Sequence, residues 1–134
     1  MHPSISEQLA GLAKVLADVV RPELADPYPV DVLDGVIAGL ETLGRAWAQW
    51  PAYLRWDAEQ TAAILRRVGI DPPEAPADPL DLVALEAHHA AVRTMLESAI
   101  PAIAEEVDAT TAMVQFFRER IERFPFQQLA PRRP

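Results

Sequence analysis

Seven residues near the C-terminus, Ile103, Val107, Thr110, Val114, Phe117, Ile121 and Phe124, recur at alternating intervals of four and three. That spacing returns to one side of a 3.6-residue helix, so it predicts a helix of about 20 residues lying with this side against other helices. The remaining chain adds further helical periodicity and no sustained alternation of the kind a half-buried strand needs. The expected fold class is therefore all-α. It should be a four- or five-helix bundle, formed as one helical domain over residues 1–134, with residues 125–134 as a flexible or partner-docked tail.

The helix boundaries follow from capping chemistry and from proline. Ser4 and Glu7 fit a reciprocal capping box ahead of Leu9, Leu12, Leu16 and Val19, with Ile5 opening the same apolar stripe. This helix should stop before Pro22, and residues 22–29, with three prolines, should cross rigidly to the next one. A second helix fits residues 31–50, with Leu33, Val36, Ile37, Leu40, Leu43 and Trp47 inward; Gly35, Gly39 and Gly44 within it suit close helix packing and make no phosphate loop. Pro51 divides it from a third helix over residues 53–68. There Leu54, Ala58, Thr61, Leu65 and Val68 make the apolar face, with Ile64 adjacent to it, and Arg55, Asp57, Glu59, Arg66 and Arg67 are expected on the solvated side.

Gly69 offers the left-handed exit that closes many helices, and the proline-rich residues 69–79 read as a linker or ordered loop. Asp78 before Pro79 is a start signal for a fourth helix lined by Leu82, Leu85, His88 or His89, Val92, Leu96 and Ala99. Because the apolar phase survives across Pro101, a kinked long C-terminal helix is preferred to a break there.

Charge and composition narrow the partners. Half of the residues are apolar and the formal net charge is −8, which disfavours disorder, nucleic acid and anionic membrane surfaces alike. Residues 71–108 carry nine acids against Arg93 alone, whereas Arg118, Arg120, Arg123, Arg132 and Arg133 follow against Glu119 and Glu122; opposed patches of this kind could guide antiparallel self-association, but solvated charges are the preferred explanation. The absence of cysteine excludes disulfides, thiol nucleophiles and thiolate metal sites. The opening Met1-His2-Pro3-Ser4 has no basic segment leading into an apolar secretion core, so a cytoplasmic location is the default expectation.

Two places carry candidate chemistry. Glu86 and His89 have the Glu-x-x-His spacing of one half of a carboxylate-bridged metal centre, which would set an oxygen and a nitrogen on one helix side. The second half-site has no histidine to draw on apart from His2, so a polar surface or a buried hydrogen-bonded histidine is the plainer reading. His88 or His89 would also serve as a proton carrier, although no nucleophile or orienting partner is defined by the sequence. The second place is the aromatic run Trp47, Trp50, Tyr53 and Trp56. With Arg45 or Arg55 at its edge, and with His88, it would hold a small apolar or anionic ligand; filling a corner between helices is the competing explanation. Glu41 and Arg45 form an i,i+4 pair of the kind that supports a helix locally. No nucleotide or other cofactor signature is present.

The stretches Pro3-Ser4-Ile5-Ser6-Glu7-Gln8-Leu9 and Leu40-Glu41-Thr42-Leu43-Gly44-Arg45, with the leucine and valine positions through Pro22, resemble a family of small helical proteins. That family is associated with aminoglycoside-phosphotransferase-like and acyl-coenzyme-A-dehydrogenase-like enzymes. The resemblance covers the first half of the chain. It departs at Arg45, where Glu41 precedes the arginine by a turn in place of the family's Arg-Glu order. It implies an accessory or interaction role beside a partner enzyme and supplies no catalytic residues. The sequence thus favours a non-catalytic, self-associating helical interaction module, with an interface at Phe116, Phe117, Ile121 and Phe124 or at the tryptophan-rich junction. The alternative is a small-molecule-binding protein or metal-dependent enzyme using the residues named above.

Overall fold

The computed structural model describes residues 2–126, and among them every regular element is helical and none is a strand. Five α-helices are present: α1 (Ile5–Val15), α2 (Pro27–Ala46), α3 (Trp50–Arg67), α4 (Leu82–Ala104) and α5 (Val107–Arg123). The chain divides into two compact units, the first reaching Gln49 and the second running Trp50–Phe124. Most of the tail expected at residues 125–134 lies outside the described residues.

In the first unit α1 begins as its sequence dictates. Ser4 Oγ accepts the Glu7 amide at 3.1 Å and the Glu7 carboxylate accepts the Ser4 amide at 2.6 Å, closing the capping box. The Ser4 backbone amide first, and the Ser4 side chain after it, hold the Glu7 carboxyl below the usual glutamate range. Beyond Val15 the chain continues through a wider π turn (Leu16–Val20) and a 3₁₀ turn (Arg21–Glu23), so Pro22 sits inside helical backbone. The crossing expected over residues 22–29 is shorter than predicted. Pro27 and Pro29 fall in the first turn of α2, where an amide has no intrahelical partner to lose, and the helix starts at Pro27 and not at residue 31.

α1 and α2 run antiparallel. Beside the connecting turn, Arg21 grips Asp34 through two hydrogen bonds, Nε to Oδ1 at 2.7 Å and Nη2 to Oδ2 at 3.2 Å. At the far end a Cβ on Gly44 would stand 3.5 Å from the Ser6 carbonyl and 3.6 Å from Leu9 Cβ, so the small residue lets the two helices approach closely. The inward line on α1 is Leu9, Ala13 and Leu16. Ile5, Leu12 and Val19, expected in the same stripe, face solvent, with Leu12 56% and Val19 62% exposed; on α2, Val36 does likewise. The apolar sector of each helix is wider than one neighbouring helix can cover.

In the second unit the predicted face of α3 is buried at Leu54, Ala58, Thr61, Ile64 and Leu65, with Pro51 in the first turn. Gly69 adopts φ 77° and ends the helix as its sequence indicated. The start of α4 differs from expectation. Asp81, not Asp78, is the N-cap and accepts the Ala84 amide at 3.0 Å, while Asp78 Oδ1 receives the Leu80 amide at 2.9 Å in a local turn. From there Leu85, Val92, Leu96, Ala99 and Ile103 are buried along α4.

Pro101 lies within α4, but the helix does not run on as one long kinked rod. It stops at Ala104, and Glu106 is extended. The Thr110 hydroxyl then reaches back to the Ile103 carbonyl at 2.9 Å, satisfying a terminal acceptor and fixing the corner.

This break overturns the opening expectation about the C-terminal stripe. Ile103 is buried, but beyond the corner Val107 is 81% and Ile121 72% exposed, and Val114, Phe117 and Phe124 are exposed as well. The inward side of α5 is instead Ala109, Met113 and Phe116, packed with Ile64, Leu65, Leu96, Ala99 and Ile103. A regular apolar period marks a stripe. It does not say which of two adjacent stripes meets the core.

Substituting two glycines separates backbone strain from helix propensity. Gly69→Ala should lower the urea midpoint by an amount equivalent to about 1–2 kcal/mol, because a Cβ disfavours its left-handed backbone. Gly35→Ala, in mid-helix with nothing within 4 Å of the added carbon, should raise it by about 0.5–1 kcal/mol.

Candidate functional site

The most constrained polar group is one that the sequence reading placed in solvent. Asp57 is 0% exposed. It stands three residues after Leu54 and four before Thr61, both buried, so the helical period carries it inward with them. This was the available signal: an aspartate in phase with the apolar stripe.

A buried carboxylate is stable only where charge and hydrogen bonds replace its water. α4 and α5 each supply a partner. His89 Nε2 donates to Asp57 Oδ2, and Arg120 Nε lies 2.9 Å from Oδ1. The arginine contact is an ion pair whose N–H is not aligned on the oxygen, so Oδ1 is held by charge and accepts no hydrogen bond. Tyr53 lies one turn earlier on α3. Burial pushes its phenol up and the Asp57 charge adds to this, while Arg120 and Arg93 oppose it.

The residues proposed from sequence fall in separate places. His89 is committed to Asp57, whereas Glu86 Oε1 accepts the Trp50 indole N–H at 3.2 Å. Among the described residues no group of three or more histidine, aspartate and glutamate side chains is positioned to hold a metal ion. Trp50 and Trp56 are joined through Tyr53, with ring centroids 5.6 and 6.0 Å apart. Phe124 packs edge-on against Trp50 and Tyr53, Phe116 lies tilted against Trp56, and the Arg123 guanidinium lies 4.5 Å over the Trp56 ring. These rings fill one another's space. Trp47 and Arg45 belong to the first unit, where Arg45 Nη2 donates to Thr42 Oγ1 at 3.4 Å.

His88 is elsewhere again. Its Nε2 is 3.1 Å from the Pro73 carbonyl and must donate to it, since a carbonyl only accepts. There it lines a cavity of about 590 Å³, open on one side, bordered by α3, the start of α4 and the proline-rich residues 72–79. Residues 69–79 are expected from sequence as a linker or ordered loop, and in the structure residues 72–79 border this space.

The Asp57 centre and the cavity are thus distinct. The first orients a histidine, but the cavity is lined by His88 and not by His89. Its evident work is to tie α3 to α4 and α5. Asp57→Ala should lower stability by about 3–5 kcal/mol in thermal denaturation followed by circular dichroism, because Arg120 is left without its counter-charge. Arg120→Met should also be costly, and Asp57→Ala combined with Arg120→Met should cost less than the sum of the same two single changes; strict additivity would show that the two groups are not coupled. Comparison with protein families, with characterised proteins and with solved structures finds no match for this chain, and its site is read from its own geometry.

Proposed function

We propose that this protein is a non-catalytic helical interaction module that self-associates through one face of the α1/α2 hairpin. The observation that supports this reading is an apolar face without charge on a chain of net charge −8. Around each helix, at about 100° per residue, Ile5, Leu12 and Val19 are turned away from the inward line in the same sense as Val32 and Val36 are on α2. In an antiparallel pair, equal turns bring residues to the same face. Glu7, Lys14, Asp18, Asp31, Asp34, Glu41 and Arg45 all turn the other way.

The hairpin buries little of its own apolar content. Ala13, Ile37, Thr42 and Ala46 are its buried residues, whereas Ile5, Leu12, Val19, Val32 and Val36 stay open to water. Two helices cannot enclose a core between them as three or four can. A second hairpin laid across this face by a two-fold axis completes four helices and brings no charge into the interface. The 20 residues of α2 span about 30 Å, and two helices side by side make the face roughly 20 Å wide. Allowing for corrugation, that approaches the roughly 800 Å² per partner of a standard interface.

The role is an accessory one, in keeping with the resemblance of the first half to helical companions of enzymes. Light scattering after size exclusion should give twice the 14.8 kDa chain mass. Leu12→Glu should give the monomer with unchanged helical content, and Ile121→Glu on α5 should remain dimeric. A monomeric wild-type chain would overturn the proposal and favour a partner enzyme as the occupant. Dissociation by Ile121→Glu but not by Leu12→Glu would move the interface to α5.

A further inference from the structure

The cavity beneath the proline-rich segment is used neither by the Asp57 centre nor by the hairpin face. We infer that it is a binding site for a small, elongated organic acid, an apolar chain ending in a carboxylate.

Its shape follows from α3. Leu54, Ala58 and Ala62 are spaced by four residues and line one wall, and the two alanines leave room where larger side chains would close it. Arg55 and Arg66 line it too, eleven positions apart, so it follows α3 for about 16 Å. That is long for its volume, which lies within the roughly 300–1,000 Å³ of small-molecule sites. The opposite wall is Leu85 and His88 of α4, and the roof is Pro72, Pro73, Pro76 and Pro79 with the residues between them.

Each surface restricts the ligand. The rings of Pro72, Pro73, Pro76 and Pro79 present apolar faces and carry no amide donors, so this part of the roof suits a hydrocarbon chain. His88 spends its Nε2 proton on the Pro73 carbonyl, holding the roof down. The strong donors left at the cavity are the guanidiniums of Arg55 and Arg66, neither of which makes an ion pair within 4.0 Å among the described residues. Guanidinium forks match a carboxylate in two parallel hydrogen bonds. Glu59, between the two arginines on α3, and Glu74 also line the site; they disfavour negative charge along the middle of it, so the acid group sits at an end, beside Arg55 or Arg66.

Octanoate is the test ligand, titrated into the intact protein by calorimetry, with nuclear magnetic resonance to place it. It should bind one per chain and perturb Leu54, Ala58 and Leu85. Arg55→Gln with Arg66→Gln, both at the surface, should weaken it about tenfold or more, and octanol and octylamine should bind more weakly than octanoate. Ala62→Phe, with helical content checked by circular dichroism, should abolish binding by filling the space. Leu12→Glu should leave it unchanged, which separates this site from the self-association face. Absence of binding at millimolar octanoate, equal binding of octanol, tighter binding of octylamine, or indifference to the double arginine change would each overturn the assignment.

Discussion

The second unit depends on a single buried charge. Asp57 has no contact with water, and a carboxylate in that position is tolerable only because α4 brings His89 to one oxygen and α5 brings Arg120 to the other. The apolar contacts around Leu65, Leu96 and Phe116 supply most of the cohesive energy but accept many small adjustments of helix rotation. The Asp57–Arg120 pair adds an attraction between charges on one side of α5, the side on which Ala109, Met113 and Phe116 enter the core.

The same constraint explains what was legible in the sequence. Fold class, the Ser4–Glu7 box, the exit at Gly69 and the inward faces of α3 and α4 are local matters of period and capping, and each could be read from neighbouring residues. The orientation of α5 is not local. Val107, Val114, Phe117 and Ile121 make a more regular apolar line than Ala109, Met113 and Phe116, yet it is the less regular line that meets the core. The charged pair on that inward side, Asp57 and Arg120, is 63 positions apart, and nothing in the period of either helix couples them. In the same way, the Glu86-His89 spacing is genuine, but its two side chains answer to different partners, Trp50 and Asp57. The cavity was hidden for a related reason: composition identifies residues 72–79 as proline-rich but does not say what they lie over.

The two units solve the problem of burial differently. Three helices around Leu65 and Ile103 leave these residues at 0% exposure. The hairpin of α1 and α2 is pinned by the Arg21–Asp34 grip at its turn and by the close approach at Gly44, and between those points it keeps a broad apolar face open. A side chain such as Leu12 recovers its share of the hydrophobic free energy, about 1.5–3 kcal/mol when fully buried, only if another surface covers it. The charges of Glu7, Lys14, Asp31, Asp34, Glu41 and Arg45 turn to the opposite side and leave this face apolar.

The prolines belong to this division of labour as well. Between α3 and α4 they stiffen a segment that has few hydrogen bonds of its own, and the contact from His88 to the Pro73 carbonyl holds it at a fixed place above α3. A flexible loop of the same length would collapse onto Ala58 and Ala62 and fill the space they leave. Restricting the backbone of residues 72–79 keeps that space open without requiring large side chains to prop it, so the cavity is preformed and a ligand entering it meets little of the ordering cost that a mobile loop would impose.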